Sequence, residues 1–139
     1  TLKWQMCLQY LEAKDHAKCV NVKQNPSFIT TEVGDTVTLH CEHDGGASYP
    51  NMYWYQQQDG LTALKLNGYL AFTNAVYEYN PDGRFKLTGD GSKQGRLTIS
   101  DLTTEDSAMY YCAASYHIAA KYVNRMPKTL RKNKYIINK

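Results

Sequence analysis

An all-β sandwich of two facing sheets is the fold class this chain predicts, and three features of its sequence carry that prediction. Short apolar–polar alternations of period two recur between turn residues, roughly every 8–12 residues, the spacing of a sandwich or barrel. Two cysteines, Cys41 and Cys112, sit inside such alternations. A tryptophan, Trp54, stands in a third. Alternation of this kind turns one face of a strand to a core and the other to water.

The elements follow in order. Val37, Leu39 and Cys41 alternate with Thr36, Thr38 and His40, a half-buried strand. Asp44-Gly45-Gly46-Ala47-Ser48 is loop by composition. Met52-Tyr53-Trp54-Tyr55-Gln56-Gln57 is an aromatic strand closed by Asp59-Gly60, and Leu64-Lys65-Leu66 opens another. Phe85-Lys86-Leu87 and Leu97-Thr98-Ile99 are short strands joined across Asp90-Gly91, a hairpin signal. Ala108 to Ala114 forms a last strand centred on Tyr110-Tyr111-Cys112. Upstream, Leu2, Met6, Leu8 and Leu11 can line one helical face, and Gln9 to Lys18 contains good helix formers. The expected organisation is one domain over residues 20–116, with a non-domain extension at 1–19 and a basic non-domain tail at 117–139.

Charge separates these regions. Residues 20–116 carry six basic and eleven acidic side chains, whereas 117–139 carry seven basic and none acidic. The net charge of +3 therefore arises from the tail, and the acidic domain argues against nucleic acid as a partner. No run of eighteen apolar residues is present, so no direct membrane span is expected within this sequence.

Catalysis and metal binding find little support. His40-Cys41-Glu42-His43 contains zinc-ligand types, but on a strand Cys41 and His43 face one way and His40 and Glu42 the other. No nucleophile motif or phosphate-binding glycine loop occurs. The expectation is no catalytic residue, no metal and no cofactor. The four cysteines allow three pairings, and Cys7 and Cys19 lie outside the strand patterns.

Cys41, Trp54 and Cys112 occur with Tyr110 two residues before Cys112, with Gly83-Arg84-Phe85, and with Leu102-Thr103-Thr104-Glu105-Asp106-Ser107-Ala108-Met109-Tyr110-Tyr111-Cys112. Together these resemble the variable-type immunoglobulin domain, a two-sheet Greek-key sandwich. In finer detail, Met52 to Gln57, Gly89 to Lys93 and Asp106 to Ser115 look like a T-cell receptor variable segment, most like a beta chain. The resemblance implies a Cys41–Cys112 disulfide, core positions for Trp54 and Tyr110, and a structural ion pair between Arg84 and Asp106. It implies antigen-binding loops at His43–Asn51, about Leu70–Val76 and from Ala113 onward, with Tyr49, Asn51, Tyr69, Asn74, Ser115 and Tyr116 as contacts. Gly89–Gln94 adds a more peripheral fourth loop. Tyr55, Gln57, Leu64 and Tyr111 are implied to form an exposed face that meets a partner variable domain. The implied function is recognition of peptide displayed by a major histocompatibility molecule, at the outer face of the plasma membrane and within a longer receptor chain. An antibody light-chain segment, or a non-rearranging innate or adhesion module of the same fold, is the alternative.

The chain departs from that family after Cys112, where no glycine follows. The aromatic-Gly-x-Gly motif of the final strand is absent, so that strand is expected to be missing or replaced. His117-Ile118-Ala119 and Pro127-Lys128-Thr129 can be encoded by near-matches to a recombination heptamer and nonamer, at a spacing that fits the long spacer class. The tail is therefore expected to be read-through past a germline variable segment.

Overall fold

The computed structural model describes residues 2–8, 18–115 and 134–138, with side chains described for 20–115. Its strands are β1 (Leu2–Leu8), β2 (Lys18–Asn25), β3 (Phe28–Glu32), β4 (Val37–His43), β5 (Asn51–Gln58), β6 (Lys65–Ala71), β7 (Asn74–Tyr77), β8 (Phe85–Gly89), β9 (Gln94–Ile99), β10 (Ala108–Ser115) and β11 (Lys134–Asn138). They form two layers, one ordered β1-β2-β4-β9-β8 and the other β3-β11-β10-β5-β6-β7. The strand alternations read from the sequence fall where expected, and the all-β variable-type sandwich is the observed fold.

Period two explains the core. Val20 and Val22 of β2, Leu39 and Cys41 of β4, Phe85 and Leu87 of β8, and Leu97 and Ile99 of β9 are buried from one layer. Met52 and Trp54 of β5, Leu70 of β6, and Tyr110 and Cys112 of β10 are buried from the other. Each large apolar side chain removed from water in this way contributes about 1.5–3 kcal/mol. The chain changes layers between β2 and β3, across a cis Asn25–Pro26 peptide.

The two ends of the chain differ from expectation in an instructive way. Leu2–Leu8 is a strand, antiparallel to β2 from Leu2 opposite Gln24 to Leu8 opposite Lys18. The helical face suggested for this stretch is not adopted over Leu2–Leu8, while Leu11 and the rest of residues 9–17 lie outside the described residues. The same residues also fit a period-two pattern, Leu2, Trp4, Met6 and Leu8, and the open edge of β2 selects it. At the other end, Lys134–Asn138 occupies the place of the final strand. It runs antiparallel to β10 at Ala108 and Met109 and parallel to β3 along Phe28–Glu32. The final strand is thus replaced by a segment without the glycine motif. Tyr116 and residues 117–133, including the codon spacing from His117 to Pro127, lie outside the described residues.

Candidate binding surface

The site rests on a rigid centre. Cys41 of β4 and Cys112 of β10 form the inter-sheet disulfide, with Cα atoms 6.5 Å apart. Trp54 lies directly across from Cys112 in the β5–β10 register and is fully buried. Beside them Gln24 reaches from β2 across the core. Its Nε2 donates to the Tyr110 carbonyl at 2.8 Å, and its Oε1 accepts from the Cys112 N–H at 3.3 Å. Sequence reading missed this buried glutamine. The signal was present, because Gln24 continues the buried alternation of Val20 and Val22.

At the end away from the loops expected to bind, Arg84 makes a two-pronged contact with Asp106, Nη1 to Oδ2 at 2.6 Å and Nη2 to Oδ1 at 3.0 Å. Their side chains are 12% and 5% exposed, so solvent screens the pair little. Asp106 also accepts from the Thr103 N–H at 2.9 Å, capping the short 3-10 turn Thr104–Asp106, and its carbonyl accepts from the Tyr110 hydroxyl at 2.7 Å. The hydrogen bond to Asp106 raises the Arg84 pKa above its ordinary value. One carboxylate therefore joins the β7–β8 and β9–β10 connections.

The three loop regions gather at the opposite end. Asn51 starts β5, pairs in register with Ser115 and Ala71, and is half-buried. Asn74 is exposed at the start of β7. Two of the expected contacts are buried. Tyr49 is 5% exposed, its ring packed at Gly45 and edge-on to His43, and Ser115 is 2% exposed at the end of β10. Tyr69 lies within β6, half-buried, its ring stacked on Tyr53 at 4.8 Å. The residue that sequence reading passed over is Phe72. It stands at the β6–β7 turn, 49% exposed, with φ +51°, a left-handed conformation that non-glycine residues seldom adopt. Its signal was an aromatic side chain inside an otherwise small and polar turn.

The outer face of the second sheet is oriented as expected and covered more than expected. Tyr55 lies opposite Tyr111 in the β5–β10 register, and the Tyr111 hydroxyl donates to Gln57 Oε1 at 3.2 Å. Tyr55 and Tyr111 are only 4% and 3% exposed, whereas Gln57 and Leu64 are half-buried. The exposed aromatic face anticipated there is therefore corrected to a buried tyrosine pair with accessible neighbours. Burial pushes the Tyr55 phenol pKa upward, and Tyr53 adds to the shift.

The zinc-like string is dispersed as strand parity requires. Cys41 is in the disulfide, His40 is exposed, and His43 bonds the Gly91 carbonyl at 2.7 Å. Among the described residues no group of three or more potential ligands is placed to hold a metal ion. No helix among them is long and apolar enough to cross a membrane.

The family model for the immunoglobulin V-set domain matches residues 24–131. The chain belongs to the V-set family. A relative of this V-set chain is the Ig kappa chain V region K-25 of Oryctolagus cuniculus, 38% identical over 103 residues, covering 74% of this chain and 89% of that one. A solved structure described as the structural basis of T cell specificity and activation by the bacterial superantigen toxic shock syndrome toxin-1 is similar in fold. It superposes with a TM-score of 0.65 at 22% identity, covering 84% of this V-set chain and 97% of that chain.

Proposed function

We propose that this V-set domain is the variable part of an antigen receptor and binds its ligand through the loop end in company with a partner variable domain. The observation that carries this reading is the grouping of the β4–β5 loop, the β6–β7 turn and the end of β10 at one end of a disulfide-tied sandwich. Asn51, Asn74 and Phe72 supply accessible contact atoms there. Asparagine and aromatic side chains give adaptable hydrogen bonds and contact area at low ordering cost. On the sheet face, Tyr53, Gln57, Leu64 and Tyr69 keep accessible surface and would meet the partner. The role is recognition, with no chemical step.

Two chain classes fit this role. The motifs at Met52–Gln57 and Asp106–Ser115 support a T-cell receptor chain of beta type, with peptide on a major histocompatibility molecule as ligand and the outer face of the plasma membrane as location. The 38% identity to a kappa variable region favours an antibody light chain. Sequencing spliced lymphocyte transcripts across Ser115 separates them. A joining segment after Ser115 in T cells supports the first, the same in B cells supports the second, and an unrearranged fixed strand in other tissues would overturn both.

A further inference from the structure

His43 closes β4 where the first hypervariable loop departs, and its imidazole is held from two sides. Nε2 lies 2.7 Å from the Gly91 carbonyl oxygen, and Nδ1 lies 3.1 Å from the nitrogen of the Gly45 N–H. A carbonyl only accepts and an amide N–H only donates, so Nε2 carries the proton and Nδ1 carries none. The geometry admits one state, the neutral Nε2-protonated ring.

This contact belongs to a chain of backbone bonds across three loops. The His43 N–H donates to the Lys93 carbonyl at 3.0 Å, the Gly91 N–H to Phe72 at 2.8 Å, and the Phe72 N–H to Pro50 at 2.9 Å. Gly91 is buried, and a Cβ there would lie 2.5 Å from the Leu70 carbonyl oxygen and 2.6 Å from that of Pro50. The first loop, the β6–β7 turn and the β8–β9 turn are thereby one hydrogen-bonded plate. The His43 ring is the side chain that joins the first to the last.

We infer that His43 is a positioning residue for the loop end: a neutral imidazole that ties Gly45 of the first loop to Gly91 of the β8–β9 turn and gives up the Gly45 bond when protonated. The inference rests on the binding role proposed for these loops. A proton added at Nδ1 faces the Gly45 N–H, two donors meet, and that bond is lost while the Gly91 bond persists. The charged and titratable groups around the ring do not restore it. Asp44 is the next residue, and Asp90 and Lys93 lie in the facing turn. Asp44 is engaged by the Asn21 N–H and side-chain amide, and Asp90 by the Ser92 N–H and hydroxyl. Glu42 is occupied by Lys23 and Gln94 on the other face of β4, and Tyr49 presents a ring edge.

Nuclear magnetic resonance on the full chain tests this without any ligand, so its outcome is independent of whether the binding role holds. At about pH 7.5 the ring nitrogens of His43 report the Nε2-protonated tautomer. As the pH is lowered until the His43 ring resonances themselves report the doubly protonated form, the protection factor of the Gly45 amide falls about fivefold, the factor matching one hydrogen bond's net contribution. His43→Phe keeps the ring and its contact with Tyr49, starts at the lower protection, and shows no such fall. An Nδ1-protonated tautomer, a Gly45 protection factor unchanged with pH, or a fall that persists in His43→Phe would each overturn the inference.

Discussion

Asp106 is a single side chain on which two connections depend, and its removal gives a sharp expectation. Asp106→Ala leaves the largely buried Arg84 guanidinium without its partner, which destabilises by about 3 kcal/mol or more. The urea midpoint should drop with the slope of the transition unchanged, whereas Lys86→Ala, at an exposed position of β8, should change it little. Gln24→Ala removes the buried hydrogen bonds to the Tyr110 carbonyl and the Cys112 N–H, and should cost about 1–3 kcal/mol by the same measurement. At this scale the sequence was readable where chemistry forces a partner. Cys41, Trp54, Cys112, Arg84, Asp106 and Tyr110 all stand in the arrangement that the family resemblance implied. Exposure was not readable in the same way. Tyr49, Tyr55, Tyr111 and Ser115 have the composition of contact residues, yet each is covered by structure that a residue type does not reveal.

The β8–β9 hairpin shows what an element adds to its residues. Asp90 accepts from the Ser92 hydroxyl and N–H, and those bonds hold its carboxyl pKa below the ordinary value. Asp44 is lowered likewise by the Asn21 side chain and N–H. A carboxylate with a depressed folded pKa stabilises fully above its unfolded value, about 3.9, and that contribution fades as pH falls through the folded value. The midpoint difference between the parent and an Asp44→Asn, Asp90→Asn double variant should therefore be largest at neutral pH and narrow below about pH 4. Gly91→Ala forces a methyl against the Leu70 and Pro50 carbonyls, and overpacking of this kind costs about 1–3 kcal/mol. The hairpin was legible from Asp90-Gly91 because turn chemistry is local. Strand β1 was not, because its leucines satisfy two periods and the choice is made by the edge of β2, a partner ten or more residues away. The replacement of the final strand by Lys134–Asn138 was beyond local reading for the same reason. Its pairing with β3 spans most of the chain.

Across the whole molecule, two layers carry opposite duties. One face of each is fastened into a shared core, and the loops at one end are fixed to one another through Gly91, Phe72 and Pro50 while Phe72 and Asn74 remain open to solvent. The disulfide closes a loop with a sequence separation of 71, and a chain-entropy estimate assigns it up to ~4 kcal/mol. Everything proposed for the loop end depends on that tie, because loops position contacts only when their scaffold is rigid. The direct measurement is a disulfide map of the oxidised full chain, by proteolysis without reduction and mass spectrometry of the linked peptides. The account predicts one linked pair containing Cys41 and Cys112. A map that joins either of them to Cys7 or Cys19, or finds both as free thiols, would contradict it.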